Sequence, residues 1–178
     1  RVTCDVSIAS GVTLTITEGV IVQFEDYWVD LIISGTLQAL GTEYAPIHFQ
    51  PWGYPTPGSW GRIAYRPGSS GVLGHAILEY GGNYEGMVYI ASDAVQVVDS
   101  VVQYGKGTGI YIHNASPLIS GTQIVANTGY IWGGGLYNDI GSPLIQNNSF
   151  ISNTVWPGGE SFEDSRGGGL CNVSGSPI

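Results

Sequence analysis

Gly109-Ile110-Tyr111-Ile112 recurs as Gly135-Leu136-Tyr137-Asn138 and again as Gly169-Leu170-Cys171-Asn172. Between these copies lie Ser116-Pro117-Leu118-Ile119 and Ser142-Pro143-Leu144-Ile145, and Ser176-Pro177-Ile178 opens a third version. The step from Ile110 to Leu136 is 26, and the step from Leu136 to Leu170 is 34. The surplus of eight fits an insertion, for which 157–164 has the composition of a loop. A second ladder aligns Ile77 with Val101 at a step of 24, Val101 with Ile124 at 23, and Ile124 with Phe150 at 26. Self-similarity at a fixed period of this length is the signature of a solenoid, in which one repeat cannot bury its apolar face alone.

The segments between turns are short, rich in Ile, Val, Leu and Tyr, and end at Gly, Asn, Ser or Pro, which reads as strand and turn. No stretch sustains a 3.6-residue apolar period with caps, and 28 glycines and nine prolines also argue against helices. The leucine spacing and asparagine signature of a leucine-rich repeat are missing. The expectation is an all-β chain, a parallel β-helix of about seven coils with roughly 24 residues and three short strands each. The crossover rule for parallel strands predicts a right hand. The first third agrees: Val12 to Ile16, Val20 to Phe24 and Leu31 to Ala39 alternate apolar and polar residues, so one face points inward. Stacked at the spacing of paired strands, the coils make a rod about 35 Å long. A single domain over 1–178 is expected, with N-terminal coils in 1–65 and generic repeat coils in 66–178 that carry an inserted loop at 154–166.

Particular motifs carry a family resemblance. GVTLTITEGVIVQF (11–24) resembles the opening coil of secreted bacterial right-handed parallel β-helix repeat proteins, which have the pectate-lyase-like solenoid architecture. GTLQALG (35–41), APIHF (45–49) and GSWGRI (58–63) are similar to the next steps of that layout, and NNSFISN (147–153) to its generic coils. The resemblance covers nearly the whole chain. It is specific for architecture and weak for function, because the family carries many surface roles.

Composition narrows the function. The formal charge is −9, from 14 acidic and five basic residues. Nucleic-acid binding is excluded, since phosphate neutralisation needs clustered Lys and Arg. Charged residues make up 11% of the chain, against about a quarter in an ordinary soluble domain. That surface suits a secreted or cell-surface protein. No apolar run approaches the roughly 20 residues needed to span a bilayer. No signal peptide is visible, so the expectation is a removed leader or an excised portion.

Chemistry-bearing residues are sparse. Glu25, Asp26 and Asp30, with Trp28 among them, form the densest acidic patch. It is a candidate for calcium or sugar, set against an exposed loop between coils. Asp93 and Asp99 are the other carboxylates close enough to suggest glycosidic chemistry, which needs two facing one bond. His48, His75 and His113 fall near strands of different coils, so no metal site is expected. No catalytic residue and no cofactor is expected either, as no nucleophile turn or phosphate loop appears. Asn127 and Asn153 occupy matching coil ends and should stack their amides. Tyr111 and Tyr137 should stack as a ladder that faces outward.

Cys4 and Cys171 lie in the first and last coils, too far apart for an intrachain bond. They are two separate thiols, or partners of a missing part of the chain, or the two halves of an intermolecular disulfide. Cys171 takes the place of Tyr111 and Tyr137 and should face outward. Cys4 shares parity with Val2 and Val6 and should face inward. The two ends of such a tube expose unpaired strands, and head-to-tail contacts that do not close generate filaments. The expected function is a non-enzymatic extracellular structural or surface protein, either an adhesin-like scaffold or a subunit of a head-to-tail β-helical filament. The expected partners are further copies end to end, or the rest of a longer chain. The alternative is a carbohydrate-active enzyme or sugar-binding module of the polysaccharide lyase or glycosidase type, with polysaccharide as its ligand.

Overall fold

The computed structural model describes residues 1–82, 85–130, 132–156 and 167–178. It is a parallel β-solenoid built from short strands, with no helix among the described residues. Three sheets run the length of the coil stack. The first comprises Val6–Ile8, Leu31–Ile33, Ile63–Tyr65, Val88–Ile90, Ile110–Ile112, Leu136–Asn138 and Leu170–Asn172. The second comprises Thr13–Ile16, Thr36–Leu40, Ser70–Gly74, Val95–Val98, Leu118–Ser120 and Leu144–Gln146. The third comprises Ile21–Phe24, Ile47–Pro51, Ala76–Glu79, Val101–Gln103, Gln123–Val125 and Ser149–Ile151. Each coil contributes one strand to each sheet. Six coils are complete, and Leu170–Asn172 begins the next.

The repeat that defined the fold is the register of the first sheet: Ile110 pairs with Leu136, and Leu136 with Leu170. The second ladder needs one correction. Ile77 pairs with Val101 and Ile124 with Phe150, but Val101 pairs with Gln123 and it is Val102 that meets Ile124. The step between these two coils is thus one shorter than the apolar match of Val101 to Ile124 implied. A slip of one position moves a side chain to the opposite face. The inward row is therefore Leu78, Val102 and Ile124, all fully buried, while Ile77 and Val101 lie on the outer side and are half-buried.

Side chains at the corners continue the stacking where strands end. Asn127 is fully buried. Its Oδ1 accepts from the Gly105 N–H at 2.9 Å, and its Nδ2 donates to the Val102 carbonyl at 2.9 Å and to Asn153 Oδ1 at 3.1 Å. Asn153 in turn donates to the Ile124 carbonyl at 2.7 Å. The Ser-Pro motif has the same logic. The Ser116 hydroxyl accepts from the Ser142 N–H at 3.0 Å, and the Ser142 hydroxyl from the Ser176 N–H at 3.3 Å. Asp93 Oδ1 starts that column by accepting from the Ser116 N–H at 2.7 Å. Ile178 already pairs with the coil below, its carbonyl accepting from Ile145 N at 2.7 Å.

Of the expected insertion at 154–166, residues 157–166 lie outside the described residues. Thr154–Val155 is a strand rather than loop. It pairs with Thr128–Gly129, with the two threonine hydroxyls 3.2 Å apart.

The cysteines differ from expectation in their exposure. Cys4 is exposed, and Cys171 is 7% exposed. Cys171 does extend the row of Tyr111 and Tyr137 by pairing with Tyr137. It is covered because the chain at Gly167 folds over it: a Cβ at 167 would lie 3.0 Å from the Cys171 Cβ.

Leu78→Ala is expected to lower the free energy of unfolding by about 2–5 kcal/mol, and Ile77→Ala by well under half of that. Urea unfolding of both variants checks the assignment of faces, and equal losses would contradict it.

Candidate functional site

The acidic patch occupies the corner between the third and first sheets, in the segment that joins Phe24 to Leu31. Its three carboxylates do not converge. Glu25 pairs with Arg1. Asp26 Oδ1 accepts from the Tyr27 N–H at 2.7 Å, and the Asp26 carbonyl closes a turn onto Val29 N at 3.1 Å. Asp30 faces the next coil: its Oδ1 accepts from the Arg62 backbone N–H at 2.9 Å, and its Oδ2 from Arg62 Nε at 3.2 Å. Arg62 also pairs with Glu85 of the following coil and lies over the Tyr89 ring, 5.4 Å from its centroid. One arginine thus ties three coils together. Gly61 is required here, because any Cβ would collide with Asp30 Oδ1.

Burial and ion pairing compete at this pair. Desolvation raises the Asp30 carboxyl above its ordinary 3.8, and the neighbouring Arg62 charge and hydrogen bonds offset only part of that rise. Burial also works against the Arg62 charge, but Glu85 and Asp30 together outweigh it, and Arg62 is held above its ordinary value. The asymmetry is physical: Arg62 has two carboxylates, whereas Asp30 has one cation and the Asp5 charge nearby.

With both oxygens of Asp30 engaged by Arg62, the patch does not form a calcium cage. Among the described residues, no three His, Cys, Asp or Glu side chains come together as a metal site would require. Asp93 and Asp99 do not form a catalytic pair either. Asp93 belongs to the serine column, and Asp99 sits at a left-handed corner with φ 47°. His113 Nδ1 lies 2.7 Å from Asp139 Oδ2 on the outer side of the first sheet, while His75 is a corner residue with φ 45°.

Three groups of aromatic residues stand out. Trp60 is a core residue, stacked on Phe24 with centroids 4.3 Å apart, and its Nε1 donates to the Glu79 carbonyl at 2.8 Å. Tyr89, Tyr111 and Tyr137 form a row on the outer side of the first sheet, with centroids 5.4 and 5.0 Å apart, and Trp132 stacks on Tyr137. Burial, the charge of Asp139 and neighbouring tyrosines push the Tyr111 hydroxyl up to about 12.

The third group lines a groove. Tyr27 and Trp28 are 68% and 50% exposed, and with Asp30, Lys106 and Tyr130 they surround a space of about 480 Å³. Gly58 and Gly82 are part of the lining. Gly58, Gly82, Lys106 and Tyr130 follow one another at a constant step of 24, but that step is not their register in the coils. Gly82 N donates to the Gly61 carbonyl and Lys106 N to the Gly81 carbonyl, and the Lys106 stem lies against Gly58. Lys106, Tyr130 and Arg62 carry no motif signal, because none of them recurs as the same residue type from coil to coil.

A second concavity of about 300 Å³ opens at the first coil. It is lined by apolar side chains including Val2, Leu14, Ile16, Val22, Phe24 and Leu31. No protein-family model, no curated protein and no solved structure matches this chain.

The Asp30 carboxyl holds its proton more tightly in the folded chain than in the unfolded one. Its contribution to stability is complete below 3.8 and is lost as pH rises through the higher folded value. Asp30→Asn removes that loss while the side-chain oxygen still accepts from the Arg62 N–H. Relative to the wild type, the variant is therefore expected to gain stability from acidic pH to neutrality. Unfolding midpoints across this range check it, and a difference that does not change with pH would contradict it.

Proposed function

We propose that this chain is a non-catalytic β-solenoid surface module, an adhesin-like scaffold that works outside the cell. The observation that carries the reading is the fate of five of its carboxylates. Glu25, Asp30, Glu85 and Asp139 each face an Arg or His partner, and Asp93 caps a backbone N–H. Carboxylates engaged in this way hold coils together and are poorly placed to protonate or attack a glycosidic bond, which takes two facing the same linkage. The low charge content and the tyrosine-rich outer row support display of a surface rather than chemistry. The likeness of 11–24 and 35–63 to secreted bacterial β-helix repeat proteins supports an extracellular setting.

A second reading, a subunit of a head-to-tail fibre, is favoured by the apolar mouth at the first coil. A further coil, from the same chain or from a neighbouring copy, would continue the three sheets there by strand addition. Light scattering over a concentration series tests this: growth that Leu14→Glu abolishes supports the fibre, and a monomer at every concentration removes it.

For the scaffold reading, the wild type is expected to release no reducing ends and no unsaturated products from neutral or acidic polysaccharides. Cleavage that disappears in the triple variant Glu25→Gln, Asp26→Asn, Asp30→Asn would overturn it in favour of the polysaccharide lyase or glycosidase alternative.

A further inference from the structure

We propose that the edge between the third and first sheets docks onto the zwitterionic headgroups of a phosphatidylcholine bilayer, with Tyr27, Trp28, Trp52 and Tyr54 as the principal anchors. Exposed side chains are sorted by type around this solenoid. Among the described residues, eight aromatic side chains stand exposed, and seven of them lie in segments that carry the chain from the third sheet to the first. Tyr27 and Trp28 belong to the first such segment, Trp52 and Tyr54 to the second, and Tyr104, Trp132 and Trp156 to later ones. Every coil turns this corner at the same place, so the seven fall along one edge. From the first coil to the sixth that edge spans five coil steps, about 24 Å. Exposed aliphatic side chains are excluded from it. Val12, Leu40, Ile140 and the rest lie in strands or at the other two corners.

The chemistry of the rings identifies the partner. Exposed apolar surface gathered in one place marks an interaction site. Trp and Tyr unmixed with Leu, Ile or Val is the composition of the belts that sit at headgroup level in membranes. Such rings are apolar in body and polar at one tip, which suits a layer between hydrocarbon and water. A protein interface centres instead on a compact apolar patch inside a polar rim. Tyr54 is 91% exposed, whereas other rings of the edge are held on one side: Tyr104 stacks on Tyr80, and Trp132 on Tyr137. Arg1 lies over Trp52, 4.4 Å from the ring centroid, so a ring at this edge already receives a cation. A choline ammonium is a cation that aromatic faces take up in the same way. The Asp26 carboxylate, bonded to the Tyr27 N–H, adds a negative charge beside the anchors.

Charge selects the zwitterionic surface. The chain carries a formal charge of −9, which repels anionic headgroups. At the edge itself the charges nearly cancel. Glu25 pairs with Arg1, and Asp30 and Glu85 share Arg62, while Lys106 stands against Asp26 in the sum. A lipid-facing edge serves a scaffold or a fibre alike, and its loss leaves the reading above intact.

Co-sedimentation with phosphatidylcholine vesicles, and with vesicles of equal parts phosphatidylcholine and phosphatidylglycerol, tests the surface. The wild type is expected to partition onto phosphatidylcholine with a blue shift of its tryptophan fluorescence. It should partition less onto the mixed vesicles, and the difference should shrink as salt screens the repulsion. Trp28→Ala and Trp52→Ala should each weaken partitioning roughly three- to tenfold, the range of a single cation–ring contact. Tyr44→Ala removes the exposed ring of a different corner and should leave partitioning unchanged. Unfolding midpoints of the three variants separate lost binding from lost fold. The proposal is overturned if the wild type stays in the supernatant, whatever protein or saccharide it binds. It is also overturned if the mixed vesicles are preferred, if the folded Trp28 and Trp52 variants partition like the wild type, or if Tyr44→Ala weakens partitioning as much as they do.

Discussion

Parallel backbone pairing between one coil and the next is the interaction on which the rest of this molecule depends. Strands of three to five residues carry too little surface to be stable alone. Each becomes stable by lying between equivalents above and below, so that its N–H and C=O groups are satisfied and its inward side chain joins a row. Leu78, Val102 and Ile124 form one such row, and Ile63, Val88, Ile110 and Leu136 another. The same rule extends to side chains. A buried amide or hydroxyl at a corner is tolerated when the next coil repeats it or a backbone partner is at hand, as with Asn127 and Asn153 or Ser100 and the Ala76 N–H.

That constraint explains where function has room to appear. Inward positions are fixed by packing, and many corner positions by the need to cap a neighbour. Asp30 shows how a charged residue is absorbed by this demand: its carboxylate is buried against the next coil at a desolvation cost that its arginine only partly offsets. Outer rows and exposed corner loops are freer, because side chains there meet solvent on at least one side. The tyrosine row and the groove of Tyr27, Trp28, Lys106 and Tyr130 occupy those freer positions.

The solenoid was legible in the sequence because its signal is redundant: every coil repeats the same test of spacing and residue type. The residues 110, 136 and 170 sit at one position of successive coils, as their recurrence requires. The match of Val101 to Ile124 failed because both flanking positions are apolar. Residue type alone does not distinguish Val101 from Val102 when one coil is shorter than its neighbours. Cys171 shows a related limit. Parity placed it correctly on the outer side of its strand, but parity carries no information about the chain near Gly167 that covers it.

What the sequence determined by itself is therefore the periodic part: parallel coils, three strands to a coil, inward aliphatic rows and stacked asparagines. Periodicity is a local and repeated property, and each copy reinforces the reading of the others. Only the tertiary structure decided the fate of single residues. It tied Asp30 to Arg62 and Arg62 to Glu85, covered Cys171 and left Cys4 in solvent. Those contacts join residues dozens of positions apart through loops that obey no period, so their partners follow from how the corners bend and pack.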